Sequence, residues 1–263
     1  HLVYRATDYK PLKSALLTER LVYQRKENNA WTAPAIIWQR ATEADAQLSN
    51  VERIYELKME LDRNGLPTLI WRSSPTVACG ISNGAEIYMS SLTDGGFSPP
   101  ENISNNNTYS SMPDMSFNGD NSLHVVWLDG LSIDNECNVQ GVFSIWYRKK
   151  AADGAWAQPM QLLQEGTPWM PEISAEGEGG QGKVHIVYYD SAAAQIRELL
   201  FSNNQWAVPQ QVAASPFVIG FDVRTDSQNR IHMLYSTSQD KTRVAYLKYE
   251  NNAWNQAAQA VYT

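Results

Sequence analysis

Only 2 cysteines occur in 263 residues. That is too few for a disulfide framework or for a zinc site built from cysteine alone. Positive charge is also in short supply. The formal net charge is -7, and a general nucleic-acid binder needs a basic stripe to neutralise phosphates. No apolar run approaches the length of a membrane-spanning helix, and the first residues do not read as a signal peptide. Phenylalanine is scarce at 6, whereas Trp and Tyr number 9 and 13. Those two side chains join a large apolar body to a polar tip, which suits half-buried strands and ligand platforms. Histidine is rarer still, at 4 residues.

All four histidines occupy one recurring position. The stretch His124-Val125-Val126-Trp127 returns as His185-Ile186-Val187-Tyr188 and as His232-Met233-Leu234-Tyr235. His1-Leu2-Val3-Tyr4 is a further copy, and Thr68-Leu69-Ile70-Trp71 keeps the pattern with Thr in place of His. Self-similarity at a spacing of tens of residues points to a repeat architecture.

Alternation and turn chemistry extend each copy into a larger repeat. The complete repeat reads as an A strand, a turn, a B strand carrying the His motif, a loop, a C strand, a second turn, and a D strand opened by Trp or Phe. In the third repeat these are Asp114 to Phe117, Gly119-Asp120-Asn121, His124 to Trp127, a loop through Cys137, Ser144 to Arg148, Asp153-Gly154, and Trp156. The turns are built from Asn, Asp and Gly, which tolerate the positive φ of tight hairpins. A four-stranded antiparallel meander repeated in this way predicts an all-β protein, a β-propeller with five recognisable blades. A β-sandwich ranks second. The expected blades cover approximately 1–40, 55–104, 112–164, 170–213 and 219–263, in a single domain over 1–263. A charged connector over 40–54 has room for a short helix. The first repeat starts at its B strand, so its innermost strand is missing. The expectation is a fragment of a longer chain, or a form trimmed within a blade; an intact mass equal to 29.6 kDa would contradict it.

The repeats resemble those of bacterial secreted β-propellers in the broad sialidase-like and propeller-lectin group. The resemblance rests on the His/Thr-aliphatic-aliphatic-Tyr/Trp strand and on the Asn/Asp/Gly turn before an aromatic. The sialidase Asp-box is approximated at Asp94-Gly95-Gly96-Phe97 and Asp153-Gly154-Ala155-Trp156, without its Thr and with compressed spacing. No Arg-Ile-Pro motif occurs. Ile196-Arg197-Glu198 is similar to the sugar-binding strand of fucose-specific propeller lectins, in one repeat only. The resemblance implies that ligands meet the face carrying the D-to-A and B-to-C connections. It also implies a secreted, periplasmic or cell-surface location.

The histidines then sit near the opposite, tight-turn face. The structural reading is an imidazole packed beside the Trp of its own blade, with one nitrogen bonded to backbone. A metal site is the functional reading, but equivalent points on different blades lie too far apart to share one ion. A copper site at the amino group of His1 is unnecessary, because the repeat already explains that residue. No metal ligand set and no catalytic residue is assigned, and with every His used by the repeat a His-based nucleophile relay is disfavoured.

Chemistry is therefore sought elsewhere. Asp114, Glu172 and Asp222 start three successive A strands, with Lys58 in the matching place of the second repeat. Arg5, Arg72, Asp129 and Asp190 follow the B motifs. These charges suit a glycosidase carboxylate pair, an Arg cluster for an acidic ligand, a cation site for an ion such as calcium, or mutually paired charges at a channel mouth. No other cofactor is implied. Trp169, in Trp169-Met170-Pro171, offers either a sugar-stacking platform or a channel plug; Tyr109 and Phe217 are nearby in the repeat. The B-to-C loops of the first three repeats are long, as binding loops on rigid scaffolds tend to be. Cys79 and Cys137 sit at matching points of two of them, either as a disulfide in an oxidising compartment or as two free thiols. Asn102-Ile103-Ser104 and Asn106-Asn107-Thr108 are glycosylation sequons, a pattern that also arises by chance.

The expected function is a non-catalytic propeller that binds a glycan or a protein partner. The alternatives are a glycoside hydrolase or lyase using the carboxylates, and a structural module of a larger assembly with other domains or subunits. Nucleic acid and a membrane span are not expected.

Overall fold

The computed structural model describes residues 1–8, 17–42, 52–75, 84–134, 138–163, 166–177, 180–215, 217–237, 244–255 and 259–262. Every regular element among them is a strand, and no helix is long and apolar enough to cross a membrane. The expected helix in the connector and both cysteines lie outside the described residues.

Five antiparallel sheets follow one another along the chain. Blade one holds Leu2–Asp8, Leu17–Gln24 and Ala35–Thr42 in that order, which correspond to the B, C and D strands of the repeat. Blade two runs Glu52–Leu61, Pro67–Pro75, Glu86–Thr93 and Glu101–Asn102. Blade three runs Tyr109–Phe117, Leu123–Ile133, Ser144–Lys150 and Met160–Leu163. Blade four runs Pro168–Ala175, Val184–Asp190, Gln195–Ser202 and Gln210–Ala214. Blade five runs Val218–Thr225, Ile231–Thr237, Val244–Glu250 and Gln259–Tyr262. These are the blades of a β-propeller, the first with three strands among the described residues.

The chain divides into two compact units. One holds His1–Ser111 with Gly130–Gly141; the other holds Met112–Asp129 with Val142–Thr263. In the first, Leu21, Ile54, Leu69 and Trp71 form the core, with Val3 and Phe97 against them. In the second, Val126, Ile186, Tyr188 and Leu199 lie in the core between blades three and four, and Val187, Val223, Met233 and Leu247 in that between blades four and five. Burying each such side chain contributes about 1.5–3 kcal/mol.

The turns follow their chemistry. Blades one, four and five join C to D through Asn28-Asn29, Asn203-Asn204 and Asn251-Asn252, all at positive φ between 48° and 64°. Two successive left-handed residues give the turn whose twist matches a hairpin. The A-to-B turns of blades two and five open on Asp62 and Asp226. Each of these carboxylates accepts the backbone N–H groups two and four residues on.

Two strand assignments differ from expectation. The turn aromatic does not open the outer strand. Trp31, Phe97, Trp206 and Trp254 each sit in a separate two-residue ladder beyond the turn. In blades one to four a proline (Pro34, Pro100, Pro159, Pro209) then stands immediately before the outer strand. Proline has no N–H to donate to the ladder, so pairing restarts after it. The second difference is length. The B strands of blades two and three run on to Pro75 and Ile133, and the latter folds back onto Val139–Gln140. Gly141 permits that return: a Cβ there would lie 2.4 Å from the Gly130 carbonyl oxygen.

Candidate functional site

The candidate residues fall into three settings. The first is the inner strands of the second compact unit. The charged residues do not start their strands, as expected from sequence, but follow a bulge inside them. Met112 and Met170 stand at φ 51° and 50°, each ahead of a proline and then of Asp114 or Glu172. Glu56 repeats this at φ 52° in blade two. A bulge adds one unpaired residue and re-aims its flanks. Trp169 therefore lies opposite Tyr189 and Glu172 opposite Val187, two positions that share a face of the neighbouring strand. Trp169 and Glu172 are placed on one side of the inner strand as a result.

Around them the chemistry is uneven. Trp169 is exposed, and its ring lies 5.8 Å from that of Phe143. Phe217 and Ile219 are exposed at the start of the next inner strand. Arg224 of that strand reaches Asp222 at 2.9 Å and Glu172 at 4.0 Å. Arg224 and Asp222 are open to solvent, whereas Glu172 is largely covered. Asp114 is buried, and it accepts the backbone N–H of Ile173 at 2.9 Å. It ties two inner strands together, an arrangement Ser116 repeats toward Ala175.

The second setting is the end of the B motifs. Asp129 is buried and accepts the indole N–H of Trp127 at 3.1 Å. Asp190 is buried and accepts from the Thr167 hydroxyl, the Ala193 amide and Arg197. Both carboxylates organise their own strands. In the lectin-like Ile196-Arg197-Glu198 stretch, Arg197 is tied to Asp190 and to the Pro209 carbonyl, and Glu198 faces His185.

The third setting belongs to the first compact unit. Arg72 is buried between the rings of Tyr55 and Tyr109, at 4.5 and 5.1 Å, beside Glu56 at 3.3 Å. Burial lowers its pKa, opposed by the Glu56 carboxylate. Such stacking on aromatic faces holds a guanidinium in place. Arg5 is half-exposed; it reaches Glu19 and donates to the Ile54 carbonyl. Burial raises the Glu19 carboxyl, against the hydrogen bond from Ile54 N–H. Both arginines lie inside their B strands rather than beyond them, because those strands are longer than the motif.

The histidines take a role the sequence reading placed only in part. Nδ1 of His1, His124 and His232 lies 2.7 Å from the phenol of Tyr23, Tyr147 and Tyr246 on the adjoining C strand. In blade four Glu198 replaces the Tyr, with Oε1 2.7 Å from His185 Nδ1. The partner is thus a side chain, not the expected backbone group. The aromatic that packs beside the pair belongs to the next blade: Phe97 meets Tyr23 edge-on at 5.0 Å, and Trp206 meets Tyr147 in the same way at 5.0 Å. Burial, helped by Lys149, pulls the His124 imidazole down to about 3. Among the described residues no group of three or more His, Cys, Asp or Glu could hold a metal ion.

The sequence reading missed the bulges and the Tyr partners. A signal for the latter was present, since Tyr23, Tyr147 and Tyr246 recur at one C-strand position and Met89 takes it where Thr replaces His.

No family model matches the sequence, and no curated protein matches it. Solved structures do match. A Dyadobacter fermentans protein of unknown function aligns over 78% of this chain and 69% of its own, at 12% identity and a TM-score of 0.55. A Penicillium chrysogenum alpha-L-arabinanase complexed with arabinobiose aligns over 94% of this chain and 70% of its own, at 12% identity and a TM-score of 0.50. A fucose lectin from Kordia zhangzhouensis covers 57% of this chain and 99% of its own, at 13% identity and a TM-score of 0.35. What the chain shares with the first two is the fold.

Proposed function

We propose that this chain is a non-catalytic propeller module that binds carbohydrate on the inner strands of blades four and five. One observation carries the reading. An exposed Trp169 stands on the same side of its strand as Glu172, and Arg224 joins that carboxylate to the exposed Asp222. An aromatic face beside charged hydrogen-bonding groups suits a sugar, whose C–H faces stack and whose hydroxyls accept and donate. Hydrolysis has less support. A glycosidase needs two carboxyl groups across an open cleft. Asp114 is buried on a backbone amide, and Glu172 and Asp222 share an arginine. A location outside the cell goes with this reading.

The test is a glycan array followed by titration calorimetry, with arabino-oligosaccharides and fucosides in the panel. Trp169→Ala and Arg224→Ala should each weaken binding at least about tenfold, some 1.4 kcal/mol. No ligand on the array, together with release of reducing sugar from a polysaccharide, would replace this reading with the hydrolase.

A further inference from the structure

One repeat position carries arginine only in the first compact unit. The residue that follows the His/Thr-x-x-aromatic motif is Arg5 in blade one and Arg72 in blade two. In blades three to five it is Leu128, Tyr189 and Ser236. The blade is therefore built without a charge at this place, and the two arginines serve something other than the repeat. Departures of this kind from a local rule collect at functional positions.

Both side chains meet residues 53–55 of the inner strand of blade two, within the same compact unit. Arg5 donates to the Ile54 carbonyl at 2.8 Å. Tyr55 stands opposite Arg72 in the ladder and lays its ring 4.5 Å from the guanidinium, with the ring of Tyr109 at 5.1 Å. Arg53 joins them, and its charge acts on Glu19 as that of Arg5 does. Three guanidiniums thus face two carboxylates, Glu19 and Glu56, in a chain whose net charge is -7. Arg72 is the member with donors in hand. Its side chain is 11% exposed and its Nε is buried. The rings offer apolar cover, and Glu56 stands at 3.3 Å as a charge neighbour rather than a hydrogen-bond partner. Among the described residues no hydrogen bond reaches the Arg72 guanidinium, and the Nε of Arg53 is buried without one as well. A guanidinium has donors only, and donors buried unmet are costly. Burial also pulls the Arg72 pKa down further than Glu56 raises it, as befits a cation short of counter-charge.

We propose that Arg5, Arg53 and Arg72 form a second binding site, in the first compact unit, that takes the carboxylate of a uronic acid sugar. A carboxylate is planar and accepts two parallel N–H bonds from one guanidinium, so it meets the unmet donors and the excess positive charge together. Arg5 is half-exposed and opens the cluster to solvent. The rings of Tyr55 and Tyr109 give apolar surface for the C–H groups of the sugar. That the carboxylate arrives on a sugar rests on the carbohydrate reading given above; the anion site itself does not.

The experiment is titration calorimetry of the full chain with tri-galacturonate and with its methyl ester, which keeps the sugar rings and removes the charge. The acid should bind at least about tenfold tighter than the ester, and the ratio should shrink at high salt. Arg72→Lys keeps the charge without the fork and should cut the affinity for the acid at least about tenfold. Arg5→Gln, at a half-exposed side chain, should weaken it by a smaller factor, and thermal melts confirm that both variants fold. The acid-to-ester ratio should survive Trp169→Ala, which separates this site from the one on blade four. A chain that fails with every neutral glycan and still prefers the acid loses the function proposed above and keeps this site. Equal affinity for acid and ester overturns the proposal. So does full affinity for the acid in both arginine variants, or a ratio that collapses in Trp169→Ala.

Discussion

Nδ1 of His124 and the phenolic oxygen of Tyr147 lie 2.7 Å apart on adjoining strands, and both side chains are buried. Tyr147 stands opposite Val126, two places along from the histidine, so the bond runs diagonally across the ladder. The same phenol carries the edge contact to Trp206. One tyrosine therefore joins its own B strand to the following blade.

Tyr147→Phe keeps the ring and removes the hydroxyl. It leaves His124 Nδ1 buried without that partner, which costs about 1–3 kcal/mol. Tyr246→Phe breaks the equivalent bond at a half-exposed histidine, where water takes over, and should cost less than about 1 kcal/mol. Urea unfolding of the two variants side by side measures the difference.

Acid should weaken the fold through His124. Its imidazole is held neutral to about 3, against 6.5 in the unfolded chain. Between those values the unfolded state binds the extra proton. The stabilisation is thus complete above pH 6.5 and is lost as pH falls toward 3, by up to about 1.4 kcal/mol per pH unit. Glu19, raised by burial, acts in the opposite sense and is common to wild type and variant. The difference between wild type and His124→Gln in urea, followed from pH 7 to 4.5, should show this slope.

Glu198→Ala removes the acceptor from a His185 that is fully buried. Leaving that buried ring nitrogen without its partner costs about 1–3 kcal/mol. Glu198→Tyr restores the residue used by the other blades, yet it should not rescue stability. Tyr249 already packs edge-on against His185 at 4.6 Å, a contact that a second phenol beside the histidine would compete with. Thermal melts of both variants test this.

Asn204 holds φ 61° as the second residue of a hairpin turn. Asn204→Ala should destabilise by about 1 kcal/mol, since alanine keeps the Cβ crowding of the left-handed region and loses the short polar side chain whose local backbone interactions let asparagine adopt it. Asn204→Gly should be neutral within about 0.5 kcal/mol, as glycine takes that region freely. Paired denaturation curves decide the matter.

Much of the fold was legible in the residues themselves. The His/Thr-x-x-aromatic motif marked every B strand, because a buried blade position tolerates few side chains and recurs when the blade recurs. The Asn-Asn turns were legible for a similar reason: positive φ excludes most residues. The candidate site was legible as a set of charges and one tryptophan, not as a geometry. Nothing local says that Asp114 is spent on the Ile173 amide, or that Arg224 reaches both Asp222 and Glu172.

The sequence by itself determined the recurrence of five recognisable blades, the order of strands within them and the chemistry of their turns, all of which rest on interactions between residues close in the chain. Only the tertiary structure decided which aromatic covers which histidine and where a left-handed Met170 turns Trp169 to the side of Glu172. Those outcomes depend on register between strands and on contact between blades. A shift of one residue there exchanges buried for exposed without changing the pattern along the chain.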